Sequence, residues 1–156
     1  MSDLHPRAEY ENLVSMSTQA DAFFDGLRQW GAGDASCARL EDGPQGLPFA
    51  VSIAVRLSDA VVDEITDEPT YTYFHQYRTA NAFLDHLAFR AGLYLQEQGA
   101  RCIQIAASQS VPASAGMEGA PFEGRYSHKK AACASRMGSI GRSSLFLHRT
   151  WGPRVR

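Results

Sequence analysis

The chain has 156 residues, enough to bury a hydrophobic core, and we expect a single domain over residues 1–156. Its apolar content of 44% and charged content of 21% are typical of a soluble globular protein, and no apolar run approaches the roughly 20 residues that span a bilayer. The net charge of -2 is unevenly spread: residues 124–156, the basic tail, contain eight Lys or Arg and no acid. All 17 acids precede it, so the tail either binds an anionic partner or docks against the acidic remainder.

Helices are predicted over Thr18–Trp30, from Ser58 to Ile65, over Thr70–Gln98 after Pro69, and from Ser127 to about Arg136. Strands are predicted over Ala35–Leu40, Phe49–Val55, Cys102–Ala106 and Ser144–His148, with the second and third of these as central strands. Gln109–Gly124 is rich in small residues and predicts a lid or binding loop. This order of elements predicts an α/β or α+β layered domain.

The polar side of the long helix, which includes Asn81, is predicted to be a solvated face, with Asp85 near Arg78 or Arg90. His75 and His86 lie eleven residues apart with no third ligand between them, so a metal site is not predicted there. The tyrosines near the start of this helix are interpreted as core or rim residues rather than a stacking platform: Tyr71, Tyr73 and Tyr77.

The three cysteines, Cys37, Cys102 and Cys133, are widely spaced, and we expect them to be buried small apolar residues. No pair has C-x-x-C spacing, so the chain cannot by itself supply four thiolates to an iron–sulfur cluster. The N-terminus lacks the blocks of a signal peptide, which predicts a cytoplasmic location by default.

Ser127 is a preferred N-cap residue, and the three residues after it are potential cations: His128, Lys129 and Lys130. Cations in a first turn oppose the helix dipole, so the segment is either a solvated basic turn or an anion site. Gly138 and Gly141 follow this helix without the spacing of a dinucleotide-binding motif. They indicate a backbone that passes close to a ligand or to another backbone.

Three blocks in the tail resemble one protein family. They are Ser127-His128-Lys129, Gly138-Ser139-Ile140-Gly141-Arg142-Ser143-Ser144-Leu145 and Gly152-Pro153-Arg154-Val155-Arg156. In this order they are similar to the S-H-K, G-L-G-W-I-G-K and Y-G-P-R-V-R motifs of the epoxyqueuosine reductase-like iron–sulfur proteins. Collinear upstream matches are Pro48–Ile53, the long-helix positions Pro69, Thr70, Tyr73, Tyr77, Arg78, Asn81, Leu84 and Asp85, and Ile105–Ser108 after Gly99. The resemblance covers roughly residues 30–156.

The resemblance implies a nitroreductase-like, cobalamin-binding α/β domain with a central sheet flanked by helices. It implies the N-terminal part of the family, without the ferredoxin-like cluster domain that usually follows. Related enzymes reduce a base-off cobalamin through those clusters. The positions that match family motifs would lie near the corrin and its phosphate-bearing nucleotide loop: Ser127, His128, Gly138, Gly141, Arg142 and Arg154.

The sequence departs from the family at several of these positions. Arg136 and Met137 stand where the family has Gly-Leu, Ser139 stands for Trp and Arg142 for Lys. The catalytic Asp of epoxyqueuosine reductases has no clear counterpart, so reduction of epoxyqueuosine itself is not expected. Glu123 is the nearest carboxylate and is the candidate proton donor.

Two functions from different classes follow. The first is a corrinoid-binding redox domain, an oxidoreductase if active, that works with a separate ferredoxin-like iron–sulfur electron donor. The alternative is a non-catalytic interaction or assembly module of the same fold, whose tail docks an acidic ferredoxin or a second copy of the chain in a homo-oligomer. A membrane partner is not expected, and neither is nucleic acid, because few aromatic residues are interleaved with the tail cations.

Overall fold

The computed structural model describes residues 19–108 and 125–156, together with the backbone of residues 111–112 and 122–123. The described helices are α1 (residues 19–29), α2 (Asp59–Asp63), α3 (Tyr71–Glu97) and α4 (His128–Ala134). The strands are β1 (Asp34–Arg39), β2 (Phe49–Ala54), β3 (Val111–Pro112), β4 (Phe122–Glu123), β5 (Gly138–Ile140) and β6 (Phe146–His148). They pair as three antiparallel two-stranded sheets, β1–β2, β3–β4 and β5–β6. The mixture of helices and strands is compatible with the predicted α+β class.

The main hydrophobic core lies between α1, α3 and the β1–β2 hairpin. Leu27 of α1 is fully buried, and it clusters with Phe23, Leu87 and Ala91. Tyr94 of α3 stacks on Phe23 with ring centroids 5.5 Å apart. This packing hides one stripe of α3 and leaves the opposite side of the helix open to other contacts.

The bounds of α3 follow from local signals that the sequence carries. Thr70 is the N-cap, and its side-chain oxygen accepts a hydrogen bond from the Tyr73 amide at 3.1 Å. Gly99 has a φ of +80°, a conformation that glycine adopts without strain, and the helix ends just before it. The predicted helix over Thr70–Gln98 is therefore confirmed.

The end of the tail extends the β1–β2 hairpin. The amide of Val55 donates to the Arg156 carbonyl at 2.8 Å, and the Arg156 amide donates back at 3.0 Å. The Leu57 amide donates to the carbonyl of Arg154 at 3.0 Å. Residues 154–156 thus lie antiparallel to the chain that follows β2.

The predicted central strand over Cys102–Ala106 is wrong, since this described segment has no strand hydrogen-bonding pattern. Instead it lies against α3, where the Cys102 thiol is 3.5 Å from the Gly92 carbonyl. A Cβ on Gly92 would meet the Gln104 amide nitrogen at 1.9 Å, so the glycine makes room for this approach. The apolar run therefore packs on a helix rather than in a sheet.

The expected burial of all three cysteines is also wrong. Cys37 is exposed although Ala35, on the same side of β1, is buried in the core, so the core covers only the first part of that side. Cys102 and Cys133 are half-buried, and all three are free thiols.

Candidate functional site

A polar cluster joins the first half of α3 to the end of the tail. Nε of Arg156 donates to Oδ1 of Asn81 at 2.6 Å, and Nη2 donates to the Tyr77 hydroxyl at 2.7 Å. The guanidinium lies over the Tyr77 ring, 4.2 Å from its centroid. Because the Arg156 backbone is paired with Val55, the cluster is held between a helix and an extended segment with fixed register.

The segment that precedes residue 109 connects this part of α3 to α4. The Ala107 amide donates to Oδ1 of Asp85 at 2.7 Å, one helical turn beyond Asn81. Nε2 of His128 lies 2.7 Å from the Ala106 carbonyl. A carbonyl only accepts, so the His128 ring carries a proton on Nε2. Among the described residues, no ion pair joins Asp85 to Arg78 or Arg90, because its carboxylate accepts the hydrogen bond of a backbone amide instead.

The Tyr77 oxygen is a focus of hydrogen-bond donors. Burial raises the pKa of the phenol, but hydrogen bonding from Asn81, the positive charge of Arg156 and hydrogen bonds from Ser108 and Arg156 together hold that pKa below its ordinary value. The cluster therefore stabilises a negative charge at this oxygen.

The first turn of α4 finds its partners within the protein. Oγ of Ser127 accepts the Lys130 amide at 3.3 Å, as expected of an N-cap. Nζ of Lys129 donates to the Ser144 carbonyl at 2.7 Å, and Nζ of Lys130 forms an ion pair with Asp42. These contacts compensate the cations without a bound anion, and the exposed Ser127 and His128 stay predicted as ligand contacts.

The two glycines predicted to lie at the cofactor have different environments. Gly138 is in β5, and a Cβ there would lie 2.0 Å from the Leu147 carbonyl oxygen. Gly141 is at the turn after β5, where the nearest obstacle is Cδ1 of Leu147 at 3.3 Å. The glycine at 138 is thus required by another backbone strand, which is one of the two roles the sequence allows.

The two arginines predicted to lie at the cofactor differ in whether each is already paired with acidic side chains. Arg142 is exposed at the tip of the β5–β6 hairpin, and no described acid lies within ion-pair distance of it. Arg154 pairs with Asp63 at 2.9 Å and with Asp59 at 3.4 Å on α2, and its side chain is 32% exposed. Arg142 is therefore available to a ligand, whereas Arg154 would first have to leave two carboxylates.

The remaining chemical groups do not form a second centre within the described residues. The side chain of Glu123 lies outside them, as does most of the predicted lid over Gln109–Gly124, although the Glu123 backbone pairs with Val111 in the β3–β4 ladder. No group of three His, Cys, Asp or Glu side chains in the described ranges is arranged to hold a metal ion. Over the same ranges, every helix is too short or too polar to cross a bilayer.

Sequence reasoning does not single out Tyr77, Asn81 or Arg156 as site residues. Asn81 is assigned to a solvated face, yet it is only 8% exposed. The available signal is that Tyr77 and Asn81 are one helical turn apart and that all three residues lie within matched blocks of the family resemblance.

No protein-family model, curated protein or solved structure matches this chain.

Proposed function

We propose that the chain is a corrinoid-binding redox domain related to epoxyqueuosine reductase, with a nitroreductase-like fold, which receives electrons from a separate iron–sulfur protein. The observation that carries the proposal is the convergence of four motif blocks. The α3 block, the Ile105–Ser108 block, the Ser-His-Lys block and the C-terminal block are connected through Tyr77–Arg156, Asp85–Ala107 and His128–Ala106. These hydrogen bonds bring the four blocks together in the folded chain, as a shared binding site requires.

The backbone at Arg136 supports the same family. Arg136 has a φ of +60°, and it follows the Ser135 C-cap of α4. Its amide donates to the Cys133 carbonyl, and the Met137 amide donates to the Ala132 carbonyl, both at 3.0 Å. This hydrogen-bonding pattern usually has glycine at the left-handed position. The family has glycine at that position and leucine after it, and Met137 is buried as a leucine would be.

The described residues fit the chemistry of a corrinoid. The rim of the corrin carries amide side chains, which need both donors and acceptors, and the nucleotide loop carries a phosphate. The Tyr77 hydroxyl and the exposed His128 ring supply donors and acceptors, while the exposed Arg142 can give charge-assisted hydrogen bonds to a phosphate. When bound, cobalamin would supply a cobalt centre able to pass electrons to a substrate. The chain's role is to bind and orient it.

The electron donor is proposed to be a second protein of the ferredoxin class. The three cysteines of this chain lack cluster spacing, so the electrons must come from elsewhere. Exposed positive charge at Arg142 suits an acidic redox partner as well as a phosphate.

Titration with cobalamin, followed by the visible spectrum, tests the proposal. We expect a spectral change with saturation in the micromolar range. Arg142→Gln should weaken binding about ten-fold or more by removing a charge-assisted hydrogen bond. Arg28→Gln is the matched control, because Arg28 is an exposed arginine on α1 that pairs with Asp25 and lies outside the resemblance. An unchanged spectrum at high micromolar cobalamin would rule the function out.

The alternative, an interaction module of the same fold, is favoured by one observation. Phe89 and Leu93 lie one helical turn apart on α3 and are 59% and 44% exposed, so they form an exposed apolar pair. Neighbouring exposed apolar side chains can form part of a contact surface. Size-exclusion chromatography of the wild type and Phe89→Ser at low and high salt distinguishes the two functions. A cobalamin-binding monomer in every condition would exclude the module.

A further inference from the structure

The side chain of Arg156 has unused hydrogen-bonding capacity. A guanidinium carries five N–H groups. One on Nε goes to Asn81 and one on Nη2 goes to Tyr77, while Nη1 and the second hydrogen of Nη2 have no partner among the described residues. The unused hydrogens lie along the end-on edge of the guanidinium, which is the edge that grips two oxygen atoms of a carboxylate or phosphate.

The side chain of Arg156 forms no ion pair with an Asp or Glu side chain of the described residues. It is half-buried, and its side-chain hydrogen-bond partners, Asn81 and Tyr77, are neutral. Asp85, one helical turn beyond Asn81 on α3, has an oxygen engaged by the Ala107 amide. An anion that approached the guanidinium would therefore add a charge-assisted partner that the described side chains do not supply.

Tyr77 supplies a further donor beside this edge. Its oxygen accepts from Nη2 of Arg156 at 2.7 Å, and among the described residues no hydrogen bond is found from the hydroxyl to an acceptor. Arg156 can only donate, so the hydroxyl hydrogen of Tyr77 is available to an acceptor outside the cluster. The stacked arrangement, with the guanidinium 4.2 Å from the ring centroid, fixes both donors relative to each other.

We propose that Arg156 and Tyr77 form a binding site for an oxyanion, held by the Nη1/Nη2 edge of Arg156 and the hydroxyl of Tyr77, with Asn81 as the positioning residue. The shared chemistry is a carboxylate or phosphate group, from a substrate or from a cofactor. The site differs from the phosphate contact proposed for Arg142 and does not require a corrinoid.

Isothermal titration with inorganic phosphate, and separately with acetate, tests the site directly. We expect the wild type to bind at least one of the two probes. Arg156→Gln should weaken that binding about ten- to one-hundred-fold, since it removes charge-assisted hydrogen bonds. Tyr77→Phe keeps the ring and should weaken binding by about two- to ten-fold. Arg28→Gln, at an exposed arginine of α1 that pairs with Asp25 and lies outside both proposed sites, is the matched control and should bind the probe as the wild type does.

A second readout follows the tyrosine itself. A bound anion offsets the charge of Arg156, so saturating probe should raise the pKa of Tyr77, and this shift should vanish in Arg156→Gln. If the wild type binds neither probe up to tens of millimolar, or if both variants bind as the wild type does, the site is overturned. Should Arg156→Gln fail to fold, Tyr77→Phe alone decides, and unchanged binding by it rejects the proposal.

The two proposals fail separately. If the protein binds phosphate but the visible spectrum of cobalamin does not change, the oxyanion site is supported and the corrinoid function is ruled out. Displacement of the probe by cobalamin assigns the site to the cofactor's phosphate, whereas independent binding of both assigns it to a substrate oxyanion.

Discussion

At the scale of single residues, the Tyr77–Arg156 pair joins two positions that are 79 residues apart in the chain. A phenol oxygen that receives several donors loses its proton more readily, because the donors favour the charged form. Burial of the ring opposes this effect, yet the pKa of Tyr77 lies below its ordinary value. Hydrogen bonding from Asn81, the positive charge of Arg156 and hydrogen bonding from Ser108 and Arg156 therefore outweigh the effect of burial on the pKa of Tyr77.

Spectrophotometric titration of the unliganded protein should show this directly. We expect the Tyr77 phenolate to form at a lower pH than an ordinary tyrosine, near pH 10, and Tyr77→Phe to remove that early step. A lowered folded-state pKa adds stability above the unfolded-state pKa and none at neutral pH. Arg156→Gln should move the step to higher pH. An early step that persists in Tyr77→Phe would assign it to another residue.

The left-handed backbone at Arg136 makes a second prediction. A side chain at a φ of +60° costs roughly 1–2 kcal/mol, so Arg136→Gly should stabilise the protein by about 1 kcal/mol after the added flexibility of glycine is counted. Ser135→Gly is the matched control, because Ser135 has a φ of -81° and gains nothing from glycine. Urea denaturation measures both. Equal destabilisation by the two variants would contradict the assigned geometry.

At the scale of elements, the structure separates what local signals determine from what they leave open. The bounds of α3 follow from a cap at Thr70 and a stop at Gly99, both readable in the sequence. The strand predicted at Cys102–Ala106 is wrong because an apolar run does not determine whether it pairs in a sheet or packs against a helix. Here the segment packs against α3 at Gly92. The site is missed for the same reason, since Asn81 and Arg156 meet across 75 residues.

The β5–β6 hairpin depends on one glycine more than on the other. Gly138→Ala would force its Cβ against the Leu147 carbonyl, where a Cβ has only 2.0 Å, and should cost about 1–3 kcal/mol. Gly141→Ala meets the flexible end of the Leu147 side chain at 3.3 Å and the Leu145 carbonyl oxygen at an ordinary contact distance of 3.6 Å, and it should change stability by about 0.5 kcal/mol or less. Thermal melts of both variants without ligand make the comparison. A larger loss for Gly141→Ala would mean that the hairpin register is wrong.

At the scale of the whole molecule, the uneven charge is resolved partly within the chain. Asp34 of β1 accepts a hydrogen bond from Nε2 of His148 at 3.0 Å and pairs with Arg149 at 2.8 Å. Nδ1 of His148 accepts two backbone amides, so the ring donates to Asp34 from Nε2. Lys130 of the tail likewise forms an ion pair with Asp42, an acid of the preceding part of the chain. The tail therefore docks against the acidic part, while Arg142 and the outer edge of Arg156 stay open to an external anion.

This docking predicts that the tail and the helical core unfold together. The chain has two tryptophans, Trp30 at the end of α1 and Trp151 in the tail, where it stacks on His148 at 4.1 Å. Trp151→Phe leaves a reporter in the core, and Trp30→Phe leaves one in the tail. Because Asp34 is 16% exposed and ties β1 to the tail, each single-tryptophan variant should show one urea transition that coincides with its own helical circular-dichroism signal.

In both variants, Asp34→Asn should lower the free energy of unfolding that the tryptophan reports by about 1.5–3 kcal/mol. Asp25→Asn is the control and should lower it by at most about 1 kcal/mol, because Asp25 forms an exposed pair with Arg28. A Trp151 signal that is lost well before the helical signal would make the tail an independently unfolding segment, and the single domain predicted over residues 1–156 would then have to be divided.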